Sequence, residues 1–384
     1  MKTVLVLGGG IGGIRTAREL SKKIGNEDGI NLAKILVFEK EKKSLFAPSL
    51  TWMMVGKRET AQIQDDLANT ELGGIEVIFG EIESVDPENV SITSDGTTYN
   101  GDYMVVSLGA GQTDIHGLGD LGHNFYTVEG ASSFYEDLKN FNGGRIAVVV
   151  SSLPHKSPVA PYEAAMLIDG YLREKDLRDR SEISLYTPEK RPMAFAGDEI
   201  SDSVRRLMES KEILYHPECE LTSADENHLT FSTQESETMK AEFDLLAYTP
   251  KHIVPKVVQE AGLTGETGWV KVDSQNMQTA FENVYAIGDI TTIPLSENNS
   301  LPKAGVFAQY QGNTVAHNIA RKIHGKKPDK TFTAEGKYIL EQGNGKASRV
   351  GGNFYSSQID IKETSAIQHW VKILQEKTWF AKHF

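Results

Sequence analysis

The sequence predicts an α/β protein: two tandem doubly wound units, then a small C-terminal β-rich layer with a terminal amphipathic helix. Three observations carry this. The first forty residues run strand, glycine turn, helix, strand. A second strand–helix–strand succession begins at Arg145. In both halves a β-meander feeds a buried strand that opens with Asp: Asp86-Pro87-Glu88-Asn89-Val90 leads to 102–107, and Asp225-Glu226-Asn227-His228-Leu229 leads to 244–249. The competing reading is coincidence between two ordinary meanders.

Residues 3–7 are a short β-branched and apolar run, the pattern of a parallel strand covered on both faces. Gly8-Gly9-Gly10-Ile11-Gly12-Gly13 follows. A helical stretch over 14–24 then sets Ile14, Ala17, Leu20 and Ile24 on one face. Residues 34–38 form a second buried strand that ends at Glu39. Next, 75–79 and 81–85 alternate, and 89–93 and 97–99 flank an Asp95-Gly96 turn. Residues 103–107 are a buried strand closed by Leu108-Gly109-Ala110-Gly111.

The second unit repeats this plan without its glycines: strand 145–150, helix 162–173, strand 183–186. Region 269–322 holds a strand ending in Ala286-Ile287-Gly288-Asp289, a turn-rich stretch and a helix over 306–323. Residues 331–361 read as a β-rich layer with turns at Gly343-Asn344-Gly345 and Gly351-Gly352-Asn353. The last twenty residues form an aromatic-rich amphipathic helix. The domains are then 1–111 with 268–330, 112–267, and 331–384.

Composition narrows the function. With 39% hydrophobic and 24% charged residues, the 384-residue chain folds as a globular protein. Its 40 Lys and Arg against 53 Asp and Glu leave a net charge of −13, which argues against nucleic-acid binding. One cysteine, Cys219, allows no internal disulfide, no CxxC pair and no cysteine-based zinc site, and no metal site is expected. No apolar run reaches the ~18–20 residues of a membrane span, and the N-terminus does not read as a signal peptide. The expected location is cytoplasmic, with any membrane contact peripheral and on the inner face of the cell membrane.

Gly8, Gly10 and Gly13 match GxGxxG between a strand and a helix, with Glu39 ending the next strand. In such a fingerprint one glycine makes the turn, one admits a pyrophosphate, and one lets helix and strand pack closely. The helix N-terminus turns its N–H groups to the phosphates, and Glu39 would accept hydrogen bonds from the adenosine ribose. The alternative is a glycine turn needed only for packing. This makes the units Rossmann-like, FAD/NAD(P)-binding domains.

Further motifs define a resemblance. Gly288-Asp289 after a strand resembles the late motif of flavoproteins with two dinucleotide domains, where the Asp accepts a bond from the FAD ribityl chain. The strand ending Val105-Val106-Ser107-Leu108-Gly109 resembles their second flavin motif. With Phe46-Ala47-Pro48-Ser49-Leu50, Ala160-Pro161-Tyr162-Glu163 and Leu301-Pro302-Lys303-Ala304-Gly305-Val306, nearly the whole chain is similar to the pyridine nucleotide–disulfide oxidoreductase superfamily. Within it, the chain looks most like the sulfide:quinone oxidoreductase and flavocytochrome c sulfide dehydrogenase branch.

The resemblance implies noncovalent FAD held by Gly8, Gly10, Ile11, Gly12, Gly13, Glu39, Lys40, Ser49, Ile82, Ser107, Gly109, Gly288, Asp289, Lys303 and Gly305. It places Lys303 and the Gly305 backbone beside the flavin, where they would stabilise negative charge. It implies Glu163 as an acid/base group; first-turn complementarity to the helix dipole explains that residue equally well. The implied acceptor is a quinone or another small molecule, and a homodimer is compatible with the chain.

Two departures limit the transfer. Ser157 and Tyr338 occupy the positions of the branch's sulfur-carrying cysteines, so cysteine-mediated sulfide oxidation is not expected. The turn Val150-Ser151-Ser152-Leu153-Pro154-His155 has no glycine for a second dinucleotide. A type II NADH dehydrogenase is therefore the second reading, and a non-catalytic flavin subunit or redox sensor the third. The tail sets Ile367, Trp370, Val371, Leu374, Ala381 and Phe384 along one broad face beside Lys372, Lys377 and Lys382. That composition suits a helix lying on a membrane surface; packing on a partner or on its own domain is the alternative.

Overall fold

The computed structural model describes residues 1–24, 32–67, 73–233, 238–296 and 299–383. The first unit is built on β1 (Lys2–Leu7), β2 (Ala33–Glu39), β3 (Ile75–Phe79) and β4 (Tyr103–Val106). The second is built on β5 (Gly144–Val150), β6 (Ser181–Tyr186), β7 (Ile213–His216) and β8 (Leu245–Thr249). The chain then returns to the first sheet with β9 (Val284–Ala286), which completes the parallel order β9-β4-β1-β2-β3. The second sheet is also parallel, with β8, β5, β6 and β7 side by side and His123–Asn124 at its edge.

Strand periodicity explains the apolar runs. Side chains alternate across a sheet, so a strand covered on both faces needs apolar residues at every position. Val4 and Val6 enter one core with Ile14 and Ala17 of helix α1 (Ile11–Ile24), while Leu5 and Leu7 enter another with Ile82 and Val258. In β5, Ile146 and Val148 join the first core, and Ala147 and Val149 pack with Phe231 and Leu246. Helix α1 starts at Ile11 rather than Ile14, so Gly12 and Gly13 lie within its first turn.

The two units share one hydrogen-bond clamp. The Asp102 carboxylate accepts from the main-chain N–H of Thr3 at 2.8 Å, and Asp102 N–H donates to Thr3 O at 2.8 Å. The Asp244 carboxylate accepts from Arg145 N–H at 2.7 Å, and Asp244 N–H donates to Arg145 O at 2.8 Å. The meanders before them are both three-stranded antiparallel sheets. The Asp that opens each buried strand thus ties the last leg of each meander to the first strand of its unit.

Helices α2 (Ala160–Glu174) and α3 (Gly305–Ile323) start just ahead of the predicted positions. The C-terminal layer is an antiparallel sheet of β10 (Glu335–Glu341), β11 (Ala347–Asn353) and β12 (Gln358–Ser365), followed by α4 (Ala366–His383). One expectation fails here: Gly351-Gly352-Asn353 is strand, not turn, and the chain reverses after Asn353. The glycines serve close approach. A Cβ on Gly351 would lie 2.8 Å from Gly336 O, and one on Gly352 would lie 1.9 Å from Gln358 O.

Candidate active site

A cleft of about 470 Å³ opens at the carboxyl ends of β1, β4 and β9. That is where ligands enter open α/β sheets. Its walls bring together Gly8, Gly10, Ile11, Gly12, Glu39, Lys40, Ile82, Ser107, Gly109, Gly288, Asp289 and Gly305 from the expected set. Gly10 has open space where a Cβ would stand. Gly13 lies outside the walls and packs helix on strand: its Cβ would sit 1.9 Å from Gly8 O. Gly8 itself holds φ +100° above Ser107, whose hydroxyl donates to Leu7 O at 2.8 Å.

Polar groups in the cleft are set by the backbone. Glu39 accepts from Gly9 N–H at 2.7 Å and from Glu41 N–H at 2.9 Å. A carboxylate has about four lone-pair sites, so acceptor capacity is left over for a hydroxyl. Gly288 N–H donates to Gln311 Oε1 at 2.6 Å, which fixes the turn after β9. Asp289 Oδ1 is buried with no hydrogen-bond partner in the protein. Burial raises the Asp289 carboxyl above its ordinary range, opposed by the nearby Lys156 and Lys303 cations.

Three more expected residues, Ser49, Lys303 and Glu163, sit elsewhere. Ser49 is buried and donates to Glu376 Oε1 of α4 at 2.6 Å, so its hydroxyl is spent on the tail rather than in the cleft. Lys303 does not line the cleft. Its ammonium donates to Asp289 O at 2.9 Å and Thr291 O at 2.8 Å, and lies 3.3 Å from the Trp269 ring centroid. These acceptors turn it into the wall behind Asp289, and burial pulls it down to about 7. Gly305 alone of that pair faces the cleft, at the N-terminus of α3.

Glu163 is also outside the cleft, and its hydrogen bonds run away from Lys303. Its Oε1 accepts from Lys372 Nζ at 2.9 Å and from Glu341 N–H at 2.9 Å, and Oε2 faces the Thr51 hydroxyl at 3.3 Å. Burial raises its carboxyl, and Lys372 opposes that rise. Lys372, expected at a membrane surface, is buried beside Trp52, whose ring also meets the Arg58 guanidinium. Arg58 pairs with the buried Glu376 at 2.8 Å. One face of α4 is therefore a charged seam to its own protein. The other presents Ile367, Trp370 and Leu374, which are 71%, 66% and 61% exposed. The side chains of 381–384, including Ala381, Lys382 and Phe384 of the expected face, lie outside the described residues.

Sequence reading missed several lining residues. Gly111 closed a quoted glycine run and could have been found; Pro255 and Val257 carry no motif and reach the cleft from the segment after β8. Cys219 is buried away from the cleft with Tyr186 and Phe231, and burial raises its thiol.

The pyridine nucleotide-disulphide oxidoreductase profile matches residues 2–312. The chain is 24% identical over 308 residues to the mitochondrial sulfide:quinone oxidoreductase of Mus musculus, across 77% of this chain and 66% of that protein, just under two thirds of its length. It is 21% identical over 348 residues to the type II NADH:quinone oxidoreductase of Staphylococcus aureus, across 85% of this chain and 84% of that protein. Its fold superposes on the X-ray structure of the sulfide:quinone oxidoreductase of Aquifex aeolicus with a TM-score of 0.90 at 22% identity, covering 100% of this chain and 91% of that one.

Proposed function

Because the chain belongs to the pyridine nucleotide-disulphide oxidoreductase family, we propose that it is an FAD-dependent oxidoreductase of the sulfide:quinone oxidoreductase type that delivers electrons to a quinone. The cleft carries this reading. It joins a glycine turn open at Gly10, a helix N-terminus, an acidic strand end at Glu39 and the unpartnered Asp289 Oδ1 in one space. Those features fit FAD: N–H groups of α1 for the pyrophosphate, Glu39 for the ribose, Asp289 for a hydroxyl of the linking chain. Bound there, FAD supplies a two-electron carrier that can be reduced by one substrate and oxidised by another.

The chain's own residues orient and tune. Gly305 and the first turn of α3 direct N–H dipoles into the cleft, which favours negative charge there. Lys303 holds the Asp289 and Thr291 carbonyls and thereby the turn that presents the Asp289 carboxylate. Glu163 acts as a positioning residue through Lys372. Domains 1–111 with 268–330, 112–267, and 331–384 divide the work: cofactor cleft, second doubly wound unit without a glycine turn, and surface attachment.

Among the described residues no helix is long and apolar enough to cross a membrane. Attachment is through the exposed Ile367, Trp370 and Leu374 face of α4 on the inner face of the cell membrane, where a quinone would be met. A second copy of this chain is the other occupant such a face could take. The donor is not sulfide by a cysteine route, since Cys219 is buried in a separate core.

The test is anaerobic titration of the protein's flavin spectrum with NADH, NADPH, sulfide, polysulfide and thiols, followed by addition of a soluble quinone. The flavin should bleach in a donor-dependent way, slowly or not at all with sulfide, and be reoxidised by the quinone. Bleaching by NADH alone would favour the NADH dehydrogenase reading. No reoxidation by any quinone would leave a flavin subunit or sensor.

A further inference from the structure

Beside the cleft lies a cluster that the function above does not use. His155 and His252 are 5% and 4% exposed, and Tyr126 joins them. Its hydroxyl is 3.4 Å from His155 Nδ1, and its ring centroid is 5.4 Å from that of His252. The two histidines come from different segments. His155 ends the turn after β5. His252 lies in a short strand, Lys251–Ile253, that pairs with Gly111–Thr113, so that Gln112 faces His252 and the cleft residue Gly111 faces Ile253.

Hydrogen-bond accounting fixes the protons. The Tyr126 hydroxyl has one proton, and it goes to a carbonyl: Lys156 O at 2.9 Å, with Ser157 O at 3.2 Å. Its oxygen then accepts from His155 Nδ1, which also faces Lys156 O at 3.2 Å. His155 therefore carries its proton on Nδ1, and Nε2 is left as a bare acceptor. His155 Nε2 and both ring nitrogens of His252 make no hydrogen bond of good geometry in the protein, and only the Pro250 carbonyl acts weakly on the His252 imidazole. Buried polar groups without partners are rare and costly, so three in one small cluster point to a ligand.

We propose that His155, His252 and Tyr126 form a site for one small monoanion of a few heavy atoms, bound together with a proton, at the junction of the two doubly wound units. Charges of both signs surround the cluster, the cations on the His252 side and the carboxylates on the Tyr126 side. Lys156 and Lys303 act on His252, and a backbone bridge ties Lys156 to Lys303. The carboxylates of Asp289, Glu163 and Glu189 act on the Tyr126 hydroxyl, and the Pro250 and Lys156 carbonyls face the imidazoles. With no anion present, burial holds His155 down at about 4 and His252 at about 3, so both are neutral near pH 7. An anion reverses that balance: it favours the imidazolium, and the proton arrives on the bare Nε2 of His155, which then donates to the ligand.

The sign follows from linkage. If one proton binds with each anion, the apparent affinity rises about tenfold for each unit of pH lowered between about pH 8 and about pH 6. The probe is sodium formate, which is fully ionised and redox-inert in that range. Titration calorimetry of the purified protein, in HEPES and in Tris and in the absence of other small anions, gives the affinity and counts protons from the buffer dependence of the heat. The site predicts saturable binding, close to one proton taken up per formate, and at least tenfold weaker binding in His155→Phe and in His252→Phe. The flavin spectrum of each variant reports that it is folded. Calorimetry needs no electron transfer, so the result is independent of the redox reading. Absence of saturable binding, binding without proton uptake, or unchanged affinity in both variants would show that water alone satisfies these nitrogens and would overturn the site.

Discussion

Replacing Lys372 by Met removes one partner of a buried ion pair and leaves Glu163 enclosed. Lys372 Nζ and Glu163 Oε1 are 2.9 Å apart, and both side chains are almost fully covered. Breaking a buried pair from one side costs about 3–5 kcal/mol, because the remaining charge keeps its desolvation penalty. That energy is carried by the docking of α4 on α2 and β10. Hydrogen exchange of α4 amides through local opening should therefore accelerate by about 10²- to 10⁴-fold at neutral pH. The pH dependence identifies the group responsible. Without Lys372 the Glu163 carboxyl is raised by burial with its main opposing cation gone. A carboxyl raised in the docked state binds more protons there than when α4 has opened. The docked state is then favoured below the ordinary carboxylate range, and this is lost as pH rises through the raised value. The deficit of Lys372→Met should be small near pH ~4 and largest near pH ~8. Glu163→Gln in the same chain should recover most of it. Exchange in α4 that is unchanged at pH ~8 would refute the reasoning, as would a deficit that Glu163→Gln does not relieve.

The other predictions concern the cleft, Lys303 and the tail. Gly10→Val should fold but fail to hold FAD, because its side chain enters open cleft space, whereas Gly13→Ala should yield little folded protein, because its Cβ meets the Gly8 carbonyl at 1.9 Å; expression yield and visible spectra check both. Lys303 is pulled down to about 7, so an unfolded chain binds more protons than the folded one above that pH. Wild-type stability should gain from Lys303 as pH rises from about 7 toward the ordinary lysine range, and Lys303→Met should lack this gain in denaturation midpoints measured across pH. Ile367→Ser with Trp370→Ser and Leu374→Ser should shift the protein from pelleting with liposomes to the supernatant, with its flavin spectrum unchanged. If those substitutions instead dissociate a dimer and liposome pelleting is the same, the face belongs to a second copy.

Some of this site was legible because its signals are local. Strand, glycine turn, helix and Glu39 follow one another within forty residues, and backbone geometry alone places them around one cleft. Gly8 and Gly13 announced their roles because a turn and a close approach tolerate no side chain. The seam under α4 was hidden because its partners are far apart in sequence. Lys372 and Glu163 are separated by 209 positions, and Glu376 and Ser49 by 327. A lysine beside aromatics reads as interfacial until the opposite face is seen to carry a buried carboxylate. Lys303 stands beside the cleft as its motif implies, but the direction of its amine depends on the Asp289 and Thr291 carbonyls and the Trp269 ring. The glycines of β11 were mistaken for a turn because chain reversal and close strand approach ask for the same residue. His252 reaches Tyr126 because β8 pairs with the edge strand His123–Asn124 of the same sheet, a long-range pairing that no periodicity in either segment encodes.

The cleft between Gly10, Glu39 and Asp289 holds FAD without a covalent bond in the proposed function. Acid precipitation of the purified protein, with the flavin in the supernatant quantified against protein, tests it directly. The protein should be yellow and release close to one FAD per chain, with release from Asp289→Ala reduced by an affinity loss of about 1.5–3 kcal/mol, the worth of a hydrogen bond to a charged group. A colourless protein that cannot be reconstituted with FAD would contradict it, and so would a flavin that stays in the precipitate.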